Sequence, residues 1–330
     1  MLSKFLDWLK DAQTAAARVA PIFDEAQNDD ELRESGKAPL SDIAKRVKRI
    51  EIATRKKADV VMTGQYRSRF RGQGMQFSDV RVYQYGDDVR HIDWRSSARS
   101  QQTYVKTFEE ERELNVVLAV DVSASTAFGS EASNKRDTLA LALASIAFSA
   151  AKNRDIVGLM MFSDQVERYV PPRKGRKHVL RILDEMLNYE PKRRKTDINI
   201  AIKALPGLLR HTSVIFVASD FSSPLNKNQL KRLAAKHDVI AIHVTDPREL
   251  DLPNIGMVQV QDPETGQSLV LDTGSGSLRR KFQQAQQRWH TEVDEFLKSA
   301  GASVIRLSTD RDPAADLMAF FETRKRRGSR

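Results

Sequence analysis

The chain has 330 residues, 40% of them apolar and 30% charged, with a net charge of +10 and no cysteine. That length admits two domains, or one doubly wound domain with an accessory module, and the apolar fraction suits a sizeable core. Without cysteine there are no disulfides or thiolate zinc sites, so any metal must be held by oxygen or imidazole.

The opening MLSKFLDWLKDAQ lacks the basic-then-apolar order of a signal peptide. No apolar run further on approaches the roughly 18 to 20 residues that cross a bilayer. A cytoplasmic setting is therefore expected. Leu2, Phe5, Leu6 and Leu9 recur at helical spacing and form one apolar face. Asp7 and Asp11 balance Lys4 and Lys10, whereas an anionic lipid surface would favour a cationic face, so packing against the body or a partner is expected. A second helical pattern covers 40–57, with Ser41 or Asp42 as caps and Ile43, Val47 and Ile50 on one side. Residues 1–58 thus form an N-terminal helical extension. Charge is unevenly placed: residues 1–35 hold four Lys/Arg against eight Asp/Glu, and residues 36–100 hold fifteen against seven. Such fields draw acidic partners or nucleic acid without choosing between them.

Residues 62–108 are rich in Gly, Arg, aromatics and Asp, with short alternations such as Val80-Arg81-Val82-Tyr83. Short strands and ordered loops are expected, making 59–112 a small β-rich accessory module. From Leu114 the texture alternates. Strands are predicted at 115–122, 156–163, 213–219, 239–244 and 303–307, with an edge strand at 166–170. Helices are predicted at 135–153, 177–189, 197–209, 227–237, 278–299 and 314–324. Short apolar strands separated by helices imply an α/β fold, a doubly wound, mostly parallel sheet with helices on both faces. That domain spans 113–325. A β-hairpin is inserted at 257–273, turning at Asp262-Pro263-Glu264-Thr265-Gly266, and a short basic tail follows at 326–330, within the cluster begun by Arg324 and Lys325.

The strand at 115–122 ends in Asp121-Val122-Ser123-Ala124-Ser125, where open α/β sheets bind ligands. Alternate positions let three oxygen-bearing side chains converge. Lys195-Thr196-Asp197 precedes a helix, and Ser219-Asp220 closes another strand. Hydroxyls and carboxylates without sulfur are the ligand set of a hard cation, Mg²⁺ or another such as Mn²⁺ or Ca²⁺. Serine hydroxyls are weak neutral donors, so the ion keeps much of its charge and takes an external carboxylate readily. A helix-capping role is the plainer reading of Asp-x-Ser-x-Ser, since Ser and Asp cap helices widely.

Asp121, Ser123, Ser125, Thr196 and Asp220 together resemble the metal-ion-dependent adhesion site of von Willebrand A domains. The resemblance implies that Ser123, Ser125 and Thr196 bind the ion directly. Asp121 would then act through water or as an outer anchor, and Asp220 would complete the shell through water. Upstream, Gly72-x-Gly74-x-x-Phe77-x-Asp79-x-Arg81-x-Tyr83-x-x-Gly86-Asp87-Asp88-x-Arg90-x-Ile92-Asp93-Trp94 resembles the signature of a bacterial family called domain of unknown function 58, whose members contain von Willebrand A domains. With the downstream domain the resemblance covers residues 60–325. Met75-Gln76 depart from the small or acidic residues usual there, and residues 1–40 fall outside it. Many relatives carry two transmembrane helices near the amino terminus, so this chain resembles the soluble branch. The resemblance also implies a partner, a MoxR-type AAA+ ATPase, with a shared task of folding, assembling or activating client proteins.

In physical terms, Asp87, Asp88, Arg90, Asp93, Arg95 and Arg99 alternate in charge among Tyr83, Tyr85 and Trp94. They form either an exposed recognition surface or a buried ion-pair lattice joining the module to the sheet. Gly72, Gly74 and Gly86 mark tight turns and favour the second. Gly72-x-Gly74 lacks the third glycine and following helix of a dinucleotide fingerprint, and with no Walker A sequence nucleotide hydrolysis falls to a partner. His91 and His178 read as structural hydrogen-bonding residues, Asp197 as a helix start. No Gly-x-Ser-x-Gly elbow or His-Glu-x-x-His helix is present. The expectation is a non-enzymatic protein-interaction module. The alternative is a nucleic-acid-binding protein using the basic 36–100 region, although no RNP-like or helix-turn-helix arrangement supports it.

Overall fold

A computed structural model describes residues 75–100, 102–110, 113–127, 134–193, 195–261 and 268–328. The expected helical extension, Gly72, Gly74 and the turn of the inserted hairpin lie outside the described residues.

The first described elements form a small unit. Strand β1 (Met75–Val82) pairs antiparallel with β2 (Tyr104–Glu110), separate from the main sheet. Between them lie a 3-10 turn at Val89–His91 and the short helix α1 (Trp94–Ser97). Short strands and ordered loops were expected here, and the helical turns within the connection were not. Their origin is local: Asp88 accepts from the backbone N–H of Arg90, and Asp93 from those of Arg95 and Ser96. Carboxylates placed this way satisfy donors that a helix start leaves unpaired.

The main sheet has six strands: β3 (Asn115–Asp121), β4 (Ile156–Phe162), β5 (Val166–Arg173), β6 (Ser213–Ser219), β7 (Asp238–Thr245) and β10 (Ser303–Ser308). Their spatial order is β10-β7-β6-β3-β4-β5. All neighbours are parallel except β5, which runs antiparallel on the edge. Counted within the sheet alone this is the doubly wound order 3-2-1-4-5-6. The expected α/β fold, a doubly wound and mostly parallel sheet, is therefore the fold observed.

Both faces are covered. Along β3, Val116, Leu118 and Val120 face the helices α2 (Lys135–Lys152), α3 (Arg176–Asn188) and α8 (Pro313–Gly328). Val117 and Ala119 face α4 (Ile198–Leu208), α5 (Lys227–Lys236) and α7 (Gly276–Ser299). Successive strand residues point to opposite faces, so a strand covered on both sides is apolar through its middle, and every residue of β3 and β6 is buried, the polar ones lying only at the strand ends. After β7 come a single turn, α6 (Pro247–Leu250), and the hairpin β8 (Met257–Gln261) and β9 (Ser268–Asp272). The hairpin makes its own small apolar cluster, in which Leu271 and Phe282 are buried under Val258, Val260 and Leu278.

Candidate metal rim

The strand order reverses between β3 and β6, which lie side by side. At such a point the connections diverge to opposite faces and leave a crevice at the carboxyl ends. The two strands end in Asp121 and Ser219-Asp220, and Asp121 and Asp220 are each 1% exposed.

Local hydrogen bonds hold these carboxylates. Asp121 Oδ1 accepts from the Ser123 N–H at 2.9 Å, and Asp121 Oδ2 accepts from Ser219 Oγ at 2.6 Å. Ser219 Oγ in turn accepts from the Phe221 N–H at 3.0 Å. Asp220 Oδ1 accepts from the Ser222 N–H at 3.1 Å. Phe221, between them, sits at φ 55°, in the left-handed region that a bulky residue seldom adopts. Its ring is buried and meets His243 edge-on, with centroids 5.6 Å apart. Packing thus fixes a strained turn that sets the direction of Asp220.

The hydroxyl set is partly assembled. Ser123 Oγ and Ser125 Oγ are 3.1 Å apart. The plainer reading of the motif does not hold for α2, whose start is capped by Asn134, receiving the Asp137 N–H. Thr196 is half-buried on the loop into α4. That loop is tied to the same rim: the Asp197 N–H donates to Ser163 O just beyond β4 at 3.1 Å, and the Ile198 N–H donates to Ser223 Oγ at 3.4 Å. Asp197 caps α4 through the Asn199 N–H, the helix-start role read from the sequence.

Lys135 is a rim residue that the sequence reading missed. Its side chain is fully buried, with Nζ 3.3 Å from Asp220 Oδ2 and 2.5 Å from Glu249 Oε1. Glu249 lies on α6, where its carboxylate also receives the Asp246 N–H in a capping box. Burial, then the neighbouring Asp220, pushes the Asp121 carboxyl up from its ordinary value. Burial pushes Asp220 the same way, but the Lys135 ammonium and the Ser222 N–H hold it low. A charged residue at the first position of a helix usually faces solvent, so only its place against the helix dipole could have drawn notice.

Beside the rim, β7 and α7 bury a second polar cluster. His243 Nδ1 lies 3.2 Å from Asp294 Oδ1, and His243 Nε2 lies 3.2 Å from His290 Nδ1. Arg306 Nε donates to Asp294 Oδ2 at 2.5 Å. His290 Nε2 is buried, with no hydrogen-bond partner among the described residues.

The signature residues build the small unit. Arg81 and Asp87 form a two-point ion pair at 2.8 and 2.6 Å, Arg90 pairs with Asp88, and Gly86 turns the chain at φ 104°. The Tyr83 N–H donates to Thr103 O. These ion pairs are exposed and lie within the unit, so the expected buried lattice reaching to the sheet is not what forms. Trp94 is 71% and Tyr85 fully exposed. His91 approaches Asp88 at 3.9 Å, and His178 Nε2 contacts Val157 O at 2.9 Å.

Residues 79–292 match the family described as "Protein of unknown function DUF58". The chain belongs to the DUF58 family. A relative of this DUF58 protein, an uncharacterized protein of Mycobacterium tuberculosis strain H37Rv, is 34% identical over 290 residues, covering 86% of this chain and 90% of its own. An uncharacterized protein of Mycobacterium avium is 39% identical over 131 residues, 39% of this chain and 77% of its own. Among solved structures, the conserved hypothetical protein BatB from Bacteroides thetaiotaomicron aligns with TM-score 0.45 and 13% identity, over 64% of this chain and 99% of that one. The SpRpn10 VWA domain aligns with TM-score 0.37 and 14% identity, over 62% and 94%. No described helix is long and apolar enough to cross a membrane.

The residues at the rim fit a hard divalent ion. Two carboxylates, from Asp220 and Glu249, hold the one ammonium, the Asp121 carboxyl lies next to Asp220, and the hydroxyls of Ser123 and Ser125 are 3.1 Å apart on the loop that follows Asp121. Among the described residues no group of three or more His, Asp or Glu is arranged to hold a metal by itself. An ion held here would need hydroxyls for part of its ligand set, as oxygen sites for Mg²⁺ allow.

Proposed function

We propose that this DUF58 protein is a non-enzymatic, metal-dependent protein-interaction module. The observation that carries the reading is the excess of buried carboxylate over buried ammonium at the switch point of the sheet. Buried charge is costly unless it is paired, and a divalent cation supplies the missing positive charge where such sheets receive ligands. Ser123, Ser125 and Thr196 would hold Mg²⁺, or Mn²⁺ or Ca²⁺ in its place, with Asp121 and Asp220 behind them. The ion lends a Lewis-acidic position that takes an acidic side chain from a partner. Hydroxyls withdraw little of its charge, Ser219 anchors Asp121, and the strained turn at Phe221 keeps Asp220 aimed. The family resemblance makes the partner a MoxR-type AAA+ ATPase acting with this chain, in the cytoplasm, on the assembly, folding or activation of a client protein.

The test is capture of the MoxR-type ATPase of the same organism by the full chain. Capture in Mg²⁺ is expected to disappear in excess EDTA, and to disappear for Asp121→Ala while its circular dichroism stays native. Equal capture with and without EDTA would overturn the reading. The charge placement also left nucleic acid open. In the described part of the basic region Arg81 and Arg90 already carry carboxylate partners, which leaves fewer cations there for phosphate.

A further inference from the structure

Lys135 stands against two ordinary rules. It is the first residue of α2, where the helix dipole disfavours a cation, and its side chain is fully buried, where an ammonium loses its hydration. Asp220 and Glu249 offset both costs at 3.3 and 2.5 Å. The three residues belong to three connections: Lys135 to the one that leaves β3, Asp220 to the one after β6, and Glu249 to the one after β7. One ammonium thus ties together the loops of the rim, on a carboxylate assigned above to the metal shell.

We infer that Lys135 is a resident cation of the rim that contends with the divalent ion for Asp220, and that Glu249 is the anion that draws it away. The inference rests on the metal reading above. Physically, an ammonium bound to Asp220 lowers the charge which that carboxylate presents to the metal, and it repels the metal directly. The ion is then held loosely and keeps a strong demand for an outside carboxylate. Glu249 works the other way, because a second anion shares the ammonium and frees Asp220. The pair sets how tightly the empty-handed protein holds its ion, and hence how far loading waits for a partner.

A structural lysine would behave differently. Removing either member of a purely structural pair loosens the rim, and both losses weaken metal binding. The resident-cation role predicts opposite signs. Titrating Mg²⁺ into the full chain by calorimetry, Lys135→Met is expected to bind about 10-fold tighter than the unaltered protein, and Glu249→Gln about 10-fold weaker. Melting with and without Mg²⁺ gives a second readout, in which Lys135→Met gains more from the ion than the unaltered protein does. Weaker binding by both variants, or unchanged binding by both, would overturn the inference. If Lys135→Met does not fold, Glu249→Gln decides alone: equal or tighter Mg²⁺ binding overturns it. Mg²⁺ uptake by none of the three proteins sinks the metal reading itself, whereas uptake in the wrong order sinks only this inference.

Discussion

Ser219 serves two buried groups with one oxygen, donating to Asp121 Oδ2 and accepting from the Phe221 N–H. Ser219→Ala leaves a carboxylate oxygen and an amide without those partners, and each buried orphan costs about 1–3 kcal/mol. Urea denaturation is expected to show a loss of about 2 kcal/mol, and a loss under about 0.5 kcal/mol would mean that the turn at Phe221 is held by packing alone. His290 gives a pH signature. Burial, with His243 and Lys135 near it, pulls its pKa from 6.5 down to about 3. Between those values the unfolded chain binds a proton that the folded chain refuses. Stability is therefore complete above pH 6.5 and falls as the pH drops toward 3. Asp294 adds a slope of the same sign: burial raises its pKa, but His243 and Arg306 pull it lower overall. His290→Gln is expected to shrink the drop in melting temperature between about pH 7 and about pH 4.5 without abolishing it. A drop as large as that of the unaltered protein would remove His290 from the account. At this scale the sequence is only partly legible. Asp121, Ser123, Ser125 and Asp220 are visible because strand-end carboxylates and hydroxyls have few other reasons to recur. Ser219 and Lys135 are not, because a serine ending a strand and a lysine starting a helix are commonplace until the partner 85 or more residues away is known.

Elements were far more legible than their partners, and the exceptions share a cause. The apolar runs at β3 and β6 leave no room for an amphipathic reading, since a strand covered on both faces has no polar side. The edge strand was expected to end at Val170 and instead continues through Pro171-Pro172 to Arg173. Proline cannot donate to a ladder and so argues against a strand, except on an edge, and β5 is an edge paired only with β4. The single turn of α6 is too short for any periodicity, yet it delivers Glu249 to the rim. Gly158 shows why β4 and β5 fit so closely: a Cβ there would lie 2.8 Å from Pro172 Cγ and 3.1 Å from Pro172 N. Gly158→Ala therefore forces the edge strand outward, which for overpacking costs about 1–3 kcal/mol. Chemical denaturation is expected to show that loss, and hydrogen exchange to show β5 amides opening first. A neutral Gly158→Ala would mean that Pro172 relaxes freely.

At the scale of the molecule, the hairpin that interrupts the doubly wound pattern is energetically a satellite. Its one buried apolar residue among those described, Leu271, clusters with Phe282 and Leu278 of α7 and with Leu252, outside both core clusters of the main sheet. Its base is already closed: the Thr273 N–H and Oγ1 both donate to Gly256 O, at 2.8 and 2.6 Å. The insertion could be read from sequence because its two alternating runs flank a Pro-Glu-Thr-Gly turn. Its independence could not, since that depends on which face of α7 lies beneath it. Replacing residues 257–272 by a short Gly-Ser link is expected to leave a cooperative melt and an α/β circular dichroism spectrum. The melting temperature should fall by several degrees, because Phe282, now 3% exposed, loses its cover. No residue assigned to the metal rim lies in the hairpin, so Mg²⁺ affinity should stay within about two-fold of the unaltered value, less than half a kcal/mol. A large loss of affinity with the fold intact would show that the hairpin braces α6 and, through Glu249, the rim. A broad, non-cooperative melt would show instead that the two faces of the sheet depend on a cap the contacts do not reveal.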